Sequence, residues 1–318
     1  MQLIEAIDSS LTLHKRVAKL MGNRFELSVI SGNESFAQCA IEKAIEEIKR
    51  IEKLFTTFSD DSQTALINAS AGIQPVKVDK EVFDLIERSI KISAITQGAF
   101  DITYGSLDKR FWNFDQQMKA LPDKIAAKKM VRLINYRNII LDHGNTTVFL
   151  KERGMRIGFG GIGKGYAADR AKYILQSEGI KSGVVNASGD LIAWGNQADG
   201  RTWTIGIASP ENIHHPFSSM SITNKAVATS GNYEKFVIIN GKKYSHTIDP
   251  KTGFPVSGIK SVTIICPNAE LADALATPVM VMGINVGLNL INQLSDVECI
   301  IIDDNNKLYV SNNIKLVK

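Results

Sequence analysis

Asp273 and Thr277 stand four residues apart near the C-terminus, and their side chains suit the binding of a hard cation. In a helix, residues i and i+4 share one face. A carboxylate and a hydroxyl among otherwise apolar residues could then bind the same ion through two oxygens. Mg²⁺ prefers such oxygens and keeps places for water and phosphate. The alternative is an exposed aspartate beside a threonine that bonds back to its own helix.

A glycine-rich segment, Gly158 to Gly165, precedes a predicted helix and carries Lys164. It is close to a G-x-x-x-x-G-K-[ST] phosphate loop, but Gly165 stands where that loop needs a hydroxyl. It also contains G-x-G-x-x-G, but the nearest suitable acid, Asp190, follows a turn rather than a second parallel strand. Both loop types are therefore disfavoured. Glycine amides, a helix N-terminus and a lysine still suit a phosphate group; the alternative is a glycine turn packed on a strand.

Other residues offer polar or aromatic contacts. Thr229 and Ser230 follow a strand end and could line an anion site, although a plain Ser/Thr turn has the same composition. His246 could act as acid, base or ligand, or be a histidine with satisfied hydrogen bonds. Phe58 and Phe100 could stack on a flat ring or pack in a core.

Composition excludes several classes of protein. The chain has 318 residues, 44% hydrophobic and 22% charged, with a net charge of +4, which is ordinary for a globular protein. The basic residues form scattered pairs, which argues against nucleic-acid binding but fits an anionic small substrate. The three cysteines are far apart, which argues against a disulfide framework or a zinc site.

Membrane and targeting signals are missing from the chain as given. No apolar run approaches the roughly 20 residues of a membrane span. The first residues lack the pattern of a signal peptide, so the chain as given is predicted to be cytoplasmic. A trimmed signal or lipoprotein segment would leave the same sequence.

The elements that must position these residues alternate irregularly between helices and hairpins. Apolar residues at helical spacing predict helices over 34–55, 80–96, 123–134, 165–178, 271–282 and 285–294. Short apolar runs between turn signals predict strands over 25–30, 139–141, 147–150, 183–185, 203–207, 227–228, 236–239 and 262–265. This order favours an α+β fold, with mixed and antiparallel sheets flanked by helices, over a doubly wound parallel sheet.

The motifs, taken in order, resemble the FAD:protein FMN transferases, the ApbE-type flavin transferases. The resemblance runs from Met21 to the C-terminal strands, and a series of motifs in this order is highly specific. It implies a T-fold-like core with an additional α/β portion. Residues 1–20 are then an N-terminal extension, and 21–318 a flavin transferase domain of two intertwined subdomains with the active site between them. The matching segments are 21–22, 58–68, 98–101, 160–169, 186–190, 228–231, 246–253 and 272–277.

The resemblance implies an activity. Enzymes of this family use Mg²⁺ to transfer FMN from FAD, through a phosphoester bond, to a Thr or Ser hydroxyl of an acceptor protein, and they release AMP. FAD and the acceptor are the expected partners, with no nucleic acid and no transmembrane segment. Two alternatives remain open: an FAD pyrophosphatase that gives FMN and AMP, and a non-catalytic flavin carrier or assembly factor. A Rossmann-type dehydrogenase is a distant fourth.

The resemblance also implies residue roles. It assigns Asp273 and Thr277 to the metal, helped by a backbone carbonyl near Gly163. Because breaking a pyrophosphate requires neutralisation of developing negative charge, Lys164 joins Asp273 in the predicted catalytic set. His246 completes that set, since it or a neighbouring carboxylate would assist the proton transfer. The residues expected to contact FAD are Met21, Phe58, Phe100, Asp101, Gly161, Lys164, Asn186, Ser188, Asp190, Thr229, Ser230 and His246.

A few positions depart from the family pattern. Gly158 and Asn232 stand where Asp is common, Gln63 where Glu is usual, and Ser188 where Gly is usual. Pro278 removes one helical N–H just after the second predicted metal ligand. None of these departures removes a predicted metal ligand, and they leave the balance between transfer and hydrolysis open.

Overall fold

The computed structural model describes residues 10–108, 120–207, 218–232, 236–245 and 247–314. These residues form helices α1 (Glu34–Phe55), α2 (Gln63–Ala69), α3 (Lys80–Ile95), α4 (Lys124–Met130), α5 (Gly163–Ser177), α6 (Ala269–Met282) and α7 (Ile284–Ile291). The strands are β1 (Thr12–Leu20), β2 (Asn23–Ser31), β3 (Val76–Lys77), β4 (Ile139–Asp142), β5 (Thr147–Leu150), β6 (Gly183–Ala187), β7 (Asp190–Trp194), β8 (Trp203–Ile207), β9 (Ser218–Ile222), β10 (Lys225–Gly231), β11 (Phe236–Ile239), β12 (Lys242–Ser245), β13 (Ile259–Cys266), β14 (Glu298–Asp303) and β15 (Leu308–Val310).

The chain divides into two compact units, each made of three separate stretches. Unit 1 comprises Met1–Glu52, Lys164–Thr229 and Ile265–Asp273, and unit 2 comprises Lys53–Gly163, Ser230–Ile264 and Ala274–Lys318. The extension predicted over 1–20 and the domain predicted over 21–318 stay predictions. Within the former, residues 12–20 form β1. No helix among the described residues is long and apolar enough to cross a membrane.

Unit 1 is built on antiparallel strands in the order β1-β2-β6-β7-β10. Two of the connections are two-residue turns, because Leu20 pairs with Asn23 and Ala187 pairs with Asp190. Such short turns force neighbouring strands to run antiparallel. β8 and β9 form a separate hairpin.

An apolar stripe explains why α1 forms. Ala37, Ile41, Ala44 and Ile48 recur three or four residues apart, and all four are fully buried. Charged residues on the exposed side pair along the helix, as in the Lys49–Glu46 ion pair of 2.7 Å. The sequence predicted the bounds of this helix correctly.

Unit 2 contains smaller groups of strands. β3, β5 and β4 form one sheet in that order, β11 pairs with β12, and β13, β14 and β15 are neighbours. A buried apolar cluster gives this unit a core around α4 and β11; its members are Leu107, Met130, Val131, Ile134, Val237, Ile239 and Ile248.

The predicted α+β class with mixed and antiparallel sheets is confirmed, and the differences lie at helix ends and in strands that the sequence did not predict, among them β1, β7 and β9. The helix predicted over 123–134 ends at Met130. Val131 and Ile134, which follow it, lie outside the helix and pack in the apolar core of unit 2. α5 begins at Gly163 and α6 at Ala269, two residues earlier than predicted. The early start of α6 depends on a cap supplied from α5.

Candidate functional site

Two hairpin turns lie at the same end of the unit 1 sheet. The β1–β2 turn is Met21-Gly22 and the β6–β7 turn is Ser188-Gly189, and all four residues have positive φ. Phe25 of β2 pairs with Ala187 of β6, so the antiparallel register carries both turns to one edge. Predicted FAD contacts from distant parts of the sequence therefore share one end of the sheet.

Further predicted FAD contacts join the same end. The side-chain oxygen of Asn186 accepts a hydrogen bond of 2.8 Å from the backbone N–H of Gly189 and so holds the β6–β7 turn. Val227 of β10 pairs with Leu191 of β7, and this register extends Thr229 toward the same edge.

Lys164 lies between two carboxylates in unit 1. Its ammonium forms an ion pair with Asp190 and lies 3.7 Å from an oxygen of Asp273. Asp190 opens β7, Asp273 lies on α6, and Lys164 is in the first turn of α5. The backbone N–H of Gly165 donates a 3.1 Å hydrogen bond to the other oxygen of Asp273. Three residues predicted from separate motifs thus form one cluster.

The electrostatics of this cluster keep the lysine charged. Burial alone would lower the pKa of Lys164, but the carboxylates of Asp273 and Asp190 outweigh it and raise that pKa above its usual range. Burial raises the pKa of the Asp273 carboxyl. The charge of Lys164 lowers this pKa and the charge of Asp190 raises it, so that the net shift is upward. One ammonium faces two carboxylates, so the cluster can take up a further positive charge.

Gly165 has a packing role that the sequence did not reveal. A Cβ at this position would clash with the carbonyl oxygen of Ala269 and would lie 2.9 Å from the Cβ of Asp273. Glycine is therefore required for α5 to approach the start of α6. The last glycine of the glycine-rich segment serves contact between two helices, while the predicted role of the segment as a phosphate cradle stays a prediction.

Asp169 is a site residue that sequence reasoning did not single out. Its two carboxylate oxygens accept hydrogen bonds from the backbone N–H groups of Ala269 (2.9 Å) and Glu270 (2.8 Å). These are the first residues of α6, whose N–H groups have no partner within the helix. Asp169 comes a hundred residues earlier in the chain, so no local capping signal could have found it.

Unit 2 holds the predicted aromatic contacts. The ring of Phe100 lies against Gly161, where an added Cβ would be 3.5 Å from its edge. Phe58 is 98% exposed, which leaves its ring accessible. Whether either ring contacts a flavin stays a prediction.

The Asp101 carboxylate in unit 2 accepts hydrogen bonds from two backbone N–H groups and one hydroxyl. One carboxylate oxygen accepts from the backbone N–H and the hydroxyl of Thr103, at 2.8 and 2.6 Å, and the other accepts from the N–H of Tyr136 at 2.9 Å. Burial raises the pKa of Asp101, although these bonds act against the shift. A direct carboxylate contact with FAD would compete with these bonds.

A cavity of about 470 Å³ lies beside Asp101 in the same unit. Its charged lining is mostly basic, which suits an anionic group. The basic side chains are Lys128, Arg132, Arg137 and Lys251.

Another hydroxyl group lies near Thr277, the second predicted metal ligand. The hydroxyls of Thr277 and Ser230 are 3.4 Å apart in unit 2. Gly163 is the first residue of α5, and its N–H donates to the carbonyl of Phe159 at 2.6 Å. His246 lies outside the described residues.

The donor set fits Mg²⁺ better than a metal that requires an all-protein cage. In the described part of the chain, no group of three or more His, Cys, Asp or Glu side chains could hold a metal ion. α6 instead carries one buried carboxylate, Asp273, and one hydroxyl, Thr277, four residues apart. Mg²⁺ is bound by one or two carboxylates together with water and substrate phosphates.

Comparison with known proteins identifies the family. Residues 21–301 match the profile of the ApbE family. This chain is a member of the ApbE family. An ApbE relative from Klebsiella pneumoniae (strain 342), named FAD:protein FMN transferase, is 30% identical over 296 residues, which cover 92% of this chain and 90% of the relative. A protein of the same name from Treponema pallidum (strain Nichols) is 32% identical over 278 residues, covering 83% of this chain and 76% of that protein.

Solved ApbE structures have the same fold. The crystal structure of the ApbE protein from Thermotoga maritima MSB8 aligns with a TM-score of 0.84 and 29% identity, over 95% of this chain and 97% of that chain. The flavin transferase ApbE from Vibrio cholerae aligns with a TM-score of 0.81 and 25% identity, over 95% and 98% of the two chains. The ApbE-like fold predicted from the motifs is therefore confirmed.

Proposed function

We propose that this protein is a Mg²⁺-dependent FAD:protein FMN transferase. It breaks the pyrophosphate bond of FAD, joins the FMN phosphate to a Thr or Ser hydroxyl of an acceptor protein, and releases AMP. The observation that carries this proposal is the cluster of Lys164, Asp190 and Asp273 at the start of α5, within a chain of the ApbE family. It combines a fixed cation with carboxylates that can accept another cation, as cleavage of a pyrophosphate requires.

Asp273 and Thr277 would hold the metal, with the backbone near Gly163 as a further donor. When bound, Mg²⁺ supplies positive charge that stabilises developing phosphate oxygens. Asp273 has one oxygen fixed by the N–H of Gly165, which sets the direction of the carboxylate. The carboxylate of Asp273 is therefore oriented by the contact between α5 and α6.

Lys164 acts as a fixed positive charge in this proposal. Its raised pKa keeps the ammonium protonated at neutral pH, so it cannot serve as the general base. Its role is to bind phosphate oxygens and stabilise negative charge as the pyrophosphate breaks. We assign the proton transfer from the acceptor hydroxyl to His246 or a neighbouring carboxylate.

Removal of the metal ligand tests this proposal. We expect Asp273→Ala to lower Mg²⁺-dependent AMP release from FAD by at least about a hundredfold, because the buried carboxylate is lost where charge must be neutralised. Chromatographic measurement of AMP checks this result. Asp84→Ala is the control, since Asp84 pairs with Lys80 on the exposed side of α3. Full activity in Asp273→Ala would contradict the proposed metal role.

Acceptor dependence separates the remaining functions. A transferase attaches FMN covalently to the acceptor, whereas an FAD pyrophosphatase releases free FMN whether or not the acceptor is present. A flavin carrier binds FAD and releases no AMP with Mg²⁺. Flavin fluorescence of the denatured acceptor distinguishes the three functions.

A further inference from the structure

Two contacts one helical turn apart join α5 to the start of α6 within unit 1. Gly165 and Asp169 are four residues apart on α5, so they share one face of that helix. Their partners, Asp273 and Ala269, are four residues apart on α6. The hydrogen bonds at both contacts involve a carboxylate and a backbone N–H group.

The first contact reaches the proposed metal ligand directly. The N–H of Gly165 donates to Asp273 at 3.1 Å, and the lack of a side chain at Gly165 allows this approach. Lys164 precedes Gly165 in the chain, so the same turn of α5 also fixes the ammonium beside Asp273. The distance between ammonium and carboxylate thus depends on how α6 lies against α5.

The second contact fixes the start of α6. Because Asp169 accepts from two successive N–H groups with separate oxygens, it restrains both the position and the rotation of the first turn of the helix. A negative charge at this end of a helix is also favourable. Ala269 is fully buried, so the turn has little room to shift.

We infer that Asp169 is a positioning residue: by holding the first turn of α6 against α5, it sets the carboxylate of Asp273 relative to Lys164 and so controls the affinity for a divalent cation. This inference rests on the proposed function, because it concerns the same metal ligand. Among the described residues, Asp169 forms no hydrogen bond or ion pair with Asp273 or Lys164. Its effect passes through the backbone of α6.

Asp169→Asn tests the inference. Asparagine keeps one acceptor oxygen and replaces the other with an NH₂ group, which cannot accept from the N–H of Glu270. Outer partners of metal ligands are typically worth about 10–100-fold in affinity. We expect binding of Mn²⁺, measured by isothermal titration without FAD, to weaken at least about tenfold. AMP release at saturating Mg²⁺ should fall much less, so that the Mg²⁺ requirement changes more than kcat.

Asp123→Asn provides a matched control. Asp123 also caps a helix, α4, with its carboxylate, but through a single oxygen that accepts from the N–H groups of Ile125 (2.8 Å) and Ala126 (2.9 Å). This cap lies in unit 2 and contacts no proposed ligand. We expect this control to change thermal stability little, because asparagine keeps the one acceptor oxygen that makes both bonds, and to leave the Mn²⁺ affinity within about twofold of wild type, since no metal ligand depends on it.

Asp169→Glu covers the case in which the asparagine variant fails to fold. Glutamate keeps both acceptor oxygens and the charge but moves them by one methylene, so an intermediate loss of affinity is expected. Unchanged Mn²⁺ affinity in a folded Asp169 variant would overturn the inference while leaving the proposed function in place. Equal losses in the Asp123 control would also overturn it. Failure of the wild-type protein to bind a divalent cation both without FAD and with FAD present would overturn the inference and the metal role together.

Discussion

At the scale of single residues, the structure gives reasons for two of the departures that the resemblance implies, at Gln63 and Asn232, and shows a backbone cost at a third, Ser188. Ser188 occupies a turn position with φ of 56°, where glycine is free of strain. Gln63 exchanges two hydrogen bonds with Asp79, one of which needs an amide donor. Asn232 is fully buried and donates to the carbonyl of Ile259 at 2.8 Å, as a carboxylate could not. These reasons depend on contacts, so the sequence alone did not show them.

Ser188→Gly should stabilise the protein. Glycine adopts positive φ without the steric cost that serine pays, so we expect the free energy of unfolding to rise by about 1 kcal/mol. Thermal or urea unfolding measures the change. The opposite substitution at the next turn position, Gly189→Ser, should lower the free energy of unfolding, because Gly189 has a φ of 102°, which serine adopts only with strain. A lower melting temperature for Ser188→Gly would show that serine makes a contact worth more than the strain.

Gln63→Glu should destabilise the protein in a pH-dependent way. The amide of Gln63 donates to Asp79 at 2.6 Å and its oxygen accepts from the backbone N–H of Asp79 at 2.8 Å. Glutamate would place a second carboxylate against Asp79 and cost about 1 kcal/mol at pH 7. Near pH 4 a protonated glutamate can donate again, so the loss should shrink. Melting temperatures at the two pH values check this, and an equal loss at both would refute it.

At the scale of elements, helices were predicted well where one stripe of apolar residues decides their extent. α1 was predicted from Glu34 to Phe55 because its apolar stripe is continuous. The start of α6 was missed, since its cap comes from Asp169 on another helix. A contact between distant segments leaves no periodic signal in either one.

Asp169 gives the fold a pH dependence of known sign. Burial raises the pKa of its carboxyl from 3.8 to about 6, and Glu270 also raises it, whereas the bonds from α6 and the charge of Lys172 act in the opposite direction. A raised carboxyl pKa means that the folded state binds the proton more tightly than the unfolded state. The contribution of Asp169 to stability is therefore greatest below about pH 4 and is lost as the pH rises through about 6.

Comparison with Asp169→Asn isolates this contribution. The variant has no titrating group at position 169, so the stability advantage of wild type over the variant should shrink between pH 4 and pH 7. Melting temperatures of both proteins across this range measure it. An advantage that grows with pH would contradict the assigned direction of the pKa shift.

At the scale of the whole molecule, the sequence identified the family but did not show how the site residues are arranged in space. The ordered motifs identified the ApbE fold because each motif keeps its place along the chain. Lys164, Asp190 and Asp273 were named from separate motifs, but only the fold shows that they meet within unit 1. The assignments of metal and FAD contacts stay predictions, and His246 lies outside the described residues.

The proposed transfer is tested by mass spectrometry of an acceptor protein incubated with FAD and Mg²⁺. We expect the acceptor to gain the mass of one FMN less water at a Thr or Ser residue, with one AMP released for each FMN attached. We expect both products to fall at least about a hundredfold when Asp273 is replaced by Ala. Release of FMN and AMP in equal amounts, with no change in the mass of any acceptor, would contradict the proposed transfer.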